Sequence, residues 1–188
     1  MKTGLFGIIM LASLTARTQR DSLLYGVFPP APDHYSAGTV VSRMLDGLGF
    51  RYYWATEGLR PIDLSFKPSA EARTSRETLD HIYALSTMII GVVGGNQIPP
   101  AQTKTFAELR KATLENFKKA STIIVGFSDA DMEKLKVDFG GTKLPFWNMI
   151  NGPISDCLWH VGQVVSFRRS SGNPFSAKVE VFLGKIMN

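Results

Sequence analysis

A chain of 188 residues, 44% hydrophobic and 20% charged, suits one domain with a substantial core and is neither disordered nor fibrous. The formal net charge of +5 includes Lys2 and Arg17 in an N-terminal leader, and the remaining bases are mixed with acids, as in Lys134-Leu-Lys136-Val-Asp138. No basic block is interleaved with stacking aromatics, which argues against nucleic-acid binding, and the single cysteine, Cys157, excludes an intrachain disulfide.

Residues 1–18 read as a secretory signal peptide, with Lys2 as the basic start, Gly4 to Leu14 as a short apolar core, and Ala16 and Thr18 as small residues before Gln19. The competing reading is an extra amphipathic helix packed on the domain. That core is too short to span a bilayer, and no other segment approaches the length of a membrane span. Residues 19–35 form a linker or arm, because Phe28-Pro-Pro-Ala-Pro-Asp33 forces extended backbone. His34 belongs to that arm as a surface residue.

From Ser36 to Leu59 the residues Val41, Met44, Leu45, Leu48 and Tyr52 recur with the spacing of an amphipathic helix. Arg60 to Arg73 reads as loop. Thr74-Ser-Arg-Glu77 has the capping-box pattern and opens a second helix, whose apolar face of Leu79, Ile82, Leu85, Met88, Ile89 and Val92 runs to Gly94-Gly95. The link from Gly94 to Lys104 contains Pro99-Pro100 and, extended, outreaches a helix, so the second and third helices are free to run parallel. Thr105-Phe-Ala-Glu108 caps the third helix, which runs through Leu109, Thr113, Phe117 and Ala120 to about Val125; Ser128-Asp-Ala-Asp131 starts a brief turn or short helix.

Val137 to Asn151 reads as mostly loop, with Phe146 and Trp147 packing onto the helices. Pro153 suits the first turn of a fourth helix that ends near Ser170 with Arg168-Arg169, then Gly172. After Pro174 the alternation of Val179, Val181 and Leu183 predicts an extended strap. The pattern as a whole predicts an all-α four-helix bundle over residues 36–188, a fold whose interior commonly houses metals.

The chemistry concentrates in Asp156-Cys-Leu-Trp-His160-Val-Gly-Gln163. Residues at i and i+4 stack on one helical face, so Asp156 and His160 are placed to chelate one divalent ion. His81, the other histidine within a strong helical pattern, is the candidate third ligand. Asp156, His160, Gln163 and Phe167 share one stripe of the last helix, with Leu158, Val161 and Val165 on the neighbouring one. Gln163 is a candidate to bond a ligand or an ion-held water, or to bridge two helices. Glu57 is a candidate base or extra ligand, against a solvated carboxylate at a helix end. Trp54, Trp147 and Trp159 read as bundle packing, Asp80 as exposed, and Cys157 as a small buried hydrophobe.

From Ser36 to Pro174 the chain resembles the DinB-like (DinB/YfiT-like) superfamily of metal-binding four-helix bundles. There a histidine near the start of the second helix joins a His-x-x-x-His pair on the last, followed by x-Gly-Gln and an Arg- and Gly-containing close. His81 and His160 match the outer ligands, Val161-Gly162-Gln163 and Arg168-Arg-Ser-Ser-Gly172 match the close, and Leu59-Arg-Pro-Ile-Asp63-Leu-Ser-Phe-Lys-Pro68 is similar to the family's first turn. Asp156 stands where the pair's first histidine is usual, which bears on the identity of the metal. The resemblance implies an up-down-down-up bundle, often a homodimer, with low-molecular-weight thiols among the substrates of relatives.

Two histidines and one aspartate leave an open position on a zinc-like ion, where water or a thiol becomes a nucleophile at neutral pH. The expected cofactor is zinc or nickel, with manganese or iron also compatible with the donor set. The leading expectation is therefore a metal-dependent hydrolase or thiol S-transferase acting on a small electrophile. The alternative is a non-catalytic metal- or ligand-binding bundle or interaction module. Cleavage of the leader places the protein outside the cytoplasm; retention keeps it within.

Overall fold

The computed structural model describes residues 23–95 and 104–187. The expected signal peptide, the first residues of the arm and the Pro99-Pro100 link lie outside the described residues. Four long helices carry the core: α1 (Ala37–Thr56), α3 (Ser75–Gly94), α4 (Phe106–Ile124) and α7 (Ser155–Ser170). Between them lie the short helices α2 (Pro61–Ser65), α5 (Asp129–Lys134) and α6 (Trp147–Met149). Among the described residues no helix is long and apolar enough to cross a membrane.

The helices start where local chemistry satisfies their free donors. The Thr74 N–H donates to Glu77 Oε2 at 2.7 Å while the Glu77 N–H donates to Thr74 Oγ1 at 3.1 Å. Thr105 and Glu108 repeat this reciprocal arrangement at α4. Gly95, at φ 66°, ends α3 in the left-handed conformation that glycine adopts without steric cost.

The buried faces follow helical spacing. Leu45, Leu48 and Tyr52 of α1 meet Leu79, Ile82 and Ile89 of α3, Leu109, Leu114 and Phe117 of α4, and Cys157, Val161 and Val164 of α7 in one core. Burying each large apolar side chain contributes about 1.5–3 kcal/mol. Polar pairs fix the directions. Ser42 and Ser121 lie 3.0 Å apart at one end of the α1–α4 pair, and Arg110 Nε donates to Thr56 Oγ1 at 2.8 Å at the other, so these helices run antiparallel. Arg76 reaches the Lys104 carbonyl and Asn116 reaches Ser86, which aligns α3 with α4. Arg168 of α7 donates to the Trp54 and Ala55 carbonyls of α1.

Several elements differ from the sequence-based expectation. The stretch expected as loop contains an antiparallel hairpin, β1 (Lys136–Phe139) and β2 (Thr142–Pro145), with Val137 opposite Leu144 and a Gly140-Gly141 turn. The C-terminal strap is folded as a second hairpin, β3 (Val179–Glu180) with β4 (Lys185–Ile186). Helical backbone starts at Trp147, not at Pro153, and Pro153 sits in a π-helical turn, Ile150–Ile154, leading into α7. The wider turn accommodates a ring that would clash with the carbonyl of a regular helix. The Arg60–Arg73 loop contains α2.

Trp147 and Trp159 are not packed in the bundle but are 72% and 71% exposed. Leu158 is exposed too; the buried stripe of α7 is Cys157, Val161, Val164 and Arg168. The arm is docked rather than loose. Tyr25 Oη donates to the buried Asp46 at 2.8 Å, and Arg43 stacks on Phe28 while donating to the Pro29 carbonyl. Gly49 permits this, since a β-carbon there would come within 2.4 Å of the Tyr25 ring.

Asp63 ties α2 to the far end of α7. Its fully buried carboxylate accepts from Arg60, from Ser171 Oγ at 2.6 Å and from Asn173 Nδ2 at 2.7 Å. The Arg60 guanidinium, aided by the other donors, holds its pKa well below the ordinary carboxylate range. A depressed pKa contributes stability that is present above the unfolded value near ~4 and is lost as pH falls through the folded one. Asp63→Asn is therefore expected to lower stability at pH 7 by about 2–3 kcal/mol. It should also flatten the acid limb of a denaturation series taken below about pH 4. A parallel acid limb in the two proteins would refute the assignment.

Candidate metal centre

Two antiparallel helices bring the predicted donors together. His81 lies near the start of α3, and Asp156 and His160 occupy the first turns of α7 on one face. His81 Nε2 is 3.2 Å from Asp156 Oδ2, and His160 Nε2 is 3.4 Å from Asp156 Oδ1. The imidazole centroids are 4.8 Å apart with planes at 84°. One ligand atom from each residue falls within 4.8 Å of the others. Bonds of about 2.0–2.2 Å to a tetrahedral ion place neighbouring ligand atoms about 3.3–3.5 Å apart. The 3.2 Å and 3.4 Å contacts use different oxygens of Asp156, so the three side chains are gathered to the scale of one ion, and a small side-chain rearrangement brings one atom of each to that spacing.

An outer contact supports that fit. Gln163 Oε1 lies 2.7 Å from His160 Nδ1 and accepts its hydrogen, while Nε2 faces Asp156 Oδ1 at 3.4 Å. A cation held by both groups, or a proton shared between them, satisfies that geometry. An outer hydrogen bond that fixes the ring tautomer is the usual support of a metal-ligating histidine.

Exposure shows the direction of access. The His160 side chain is 13% exposed, whereas His81 and Asp156 are 33% and 40% exposed, so the cluster opens on their side. The neighbouring Cys157 is fully buried, its thiol directed at the Ile82 carbonyl. Burial, with Asp156 adding to it, pushes that thiol up and keeps it protonated, which suits neither a ligand nor a nucleophile.

Glu57 is not among the residues that converge here. Its carboxylate is held by Arg110 Nη2 at 2.6 Å, and the same guanidinium donates to Thr56 and to the Tyr53 carbonyl. Asp80 pairs outward with Arg76, and His34 is exposed. The wall beside the donors was missed in the sequence. It comes from Phe139 and Leu144 of the hairpin, for which the Val137/Phe139 alternation before Gly140-Gly141 was the available signal.

If Gln163 sets the His160 tautomer, Gln163→Leu should weaken zinc binding by about 10–100-fold, and Gln163→Glu should retain it. Competition against a chromophoric chelator measures this. Equal affinity in Gln163→Leu and the parent protein would show that the contact has no bearing on the metal.

No family model matches the chain, and no curated protein matches it. Among solved structures, the chain is similar to the crystal structure of a DinB family member protein from Shewanella denitrificans. The TM-score is 0.48 at 19% sequence identity, covering 79% of this chain and 90% of that one.

Proposed function

We infer that this chain is a metal-dependent enzyme built on a DinB-like, up-down-down-up four-helix bundle, with His81, Asp156 and His160 as ligands to one divalent ion, zinc or nickel first. The observation that carries this reading is the convergence of His81, Asp156 and His160, one ligand atom from each lying within 4.8 Å of the others, with His160 Nδ1 held by Gln163. The helix directions and the sequence resemblance over Asp156-x-x-x-His160-Val-Gly-Gln163 support the bundle.

A divalent ion held by His81, Asp156 and His160 would supply a Lewis acid that lowers the pKa of a water or small thiol. The chain's own residues orient the ligands, through Gln163, and keep one flank apolar, through the hairpin. Among the described residues no free base joins the donors, since Glu57 is paired with Arg110. A low-molecular-weight thiol therefore suits the site better than water, because its ordinary pKa near ~8.5 lets the proton pass to solvent without a dedicated acceptor. The sulfur lone pair then forms the bond to an electrophilic carbon, and the leaving group departs with the electrons of the bond it loses. A homodimer and an exported location after loss of residues 1–18 complete the proposal.

Metal analysis of purified protein should find about one divalent ion per chain, and His160→Ala should lose most of it. Thiol-transfer and ester-hydrolysis panels should show turnover that a chelator removes and added metal restores. Full occupancy in the parent protein, with no turnover that depends on His160, would replace the enzyme with a metal-binding bundle.

A further inference from the structure

A cavity of about 530 Å³ opens beside the donors, and Asp156 is part of its lining. A larger cavity, about 870 Å³ between α1, α5 and α6, touches none of the three donors. The smaller one is built by three elements whose periodicities converge. On α3, Leu85 and Met88 follow His81 on the same helical face and extend it away from the donors. On α7, Trp159 stands one turn beyond Asp156. Across from both, the hairpin presents Val137, Phe139 and Leu144, the three apolar residues of one of its faces, while Lys136 and Pro145 line the larger cavity instead.

Chemistry narrows the occupant. Among the described residues Asp156 is the one ionisable side chain in the lining, and no lysine, arginine or histidine joins it. The polar groups that remain include the amides of Asn148 and Asn151, which suit a neutral acceptor or donor. An anionic body would meet no countercharge against these walls. Met88, Phe139 and Trp159 are 38%, 68% and 71% exposed, so the walls present apolar surface to whatever enters. The volume matches that of small-molecule sites.

Resting on the metal-centre reading for its chemistry, we propose that this cavity is the electrophile subsite and takes an uncharged molecule with an aromatic or branched aliphatic body, seated against Trp159, Met88 and Phe139 with its reactive end at Asp156. Phe139 and Trp159 determine specificity without ligating the ion.

The test uses 2-naphthalenemethanol as a neutral probe and 2-naphthalenesulfonate as an anionic one of similar body and weak metal affinity. Saturation-transfer NMR and calorimetry measure binding to the metal-loaded full chain. The alcohol is expected to bind at least roughly tenfold more tightly than the sulfonate, as a body with no countercharge requires. Trp159→Ala and Phe139→Ser, at exposed positions, should each lose most of that affinity with metal content unchanged, while Trp147→Ala in the larger cavity should lose none. His160→Ala should drop the metal and keep the alcohol. Failure of the parent protein to hold metal would thus sink the metal centre alone. Equal binding of the two probes, undiminished binding in Trp159→Ala, or a change in oligomeric state by light scattering as the sole effect of Trp159→Ala would overturn the subsite.

Discussion

The convergence of His81, Asp156 and His160 depends on how closely α3 and α7 approach beside Cys157. The cysteine is fully buried, with its sulfur 3.8 Å from the Ile82 carbonyl. Its neighbours in sequence and in space are the ligand candidates themselves, Asp156 before it and His81 before Ile82. A larger side chain at this point would push the helices apart by more than the 3.2 Å contact between His81 and Asp156 tolerates. The π-helical turn at Ile150–Ile154 leads directly into the first turn of α7, which carries Asp156. Such turns recur where a helix must present a side chain off its regular track.

The other end of α7 is secured by different means. Arg168 is 3% exposed and donates to the carbonyls of Trp54, Ala55 and Asn173, so its buried charge is distributed over backbone dipoles. Desolvation lowers its pKa from the ordinary arginine value. Asp63, joined to Ser171 and Asn173, closes the same corner. The helix is thus clamped by polar groups at its C-terminal end and by apolar packing at its N-terminal end, where the donors sit. A rigid far end transmits little slack to the ligands.

The fold was legible in the sequence where the signals were local. The boxes at Thr74–Glu77 and Thr105–Glu108 bond within one turn, and the apolar spacing of α1, α3 and α4 is regular, so their starts and most of their buried positions could be read directly; Met44 and Met88, which the spacing places on the same faces, are 40% and 38% exposed at the edge of the core. The convergence of the candidate ligands was legible for the same reason, since Asp156 and His160 are one turn apart and His81 lies within a strong helix. What escaped depends on tertiary context. The buried stripe of α7 passes through a cysteine and an arginine, so Leu158 looked like the core residue and is exposed instead. Four-residue strands such as Lys136–Phe139 carry too few alternations to outweigh a loop reading. The pairing of Glu57 with Arg110 joins two helices distant in sequence, and no spacing rule announces it.

The first hairpin stands as a partition with a different room on each side. It is fastened to the body by Val137, which is buried, while its turn at Gly140-Gly141 projects outward with both glycines at positive φ. Such a turn tolerates changes in length and composition better than any helix of the bundle. The candidate ligands and the apolar wall of the proposed subsite therefore lie on separable parts of the polypeptide. Natural variation or laboratory selection confined to Lys136–Pro145 has a route to new preferences that leaves the imidazoles and their carboxylate undisturbed.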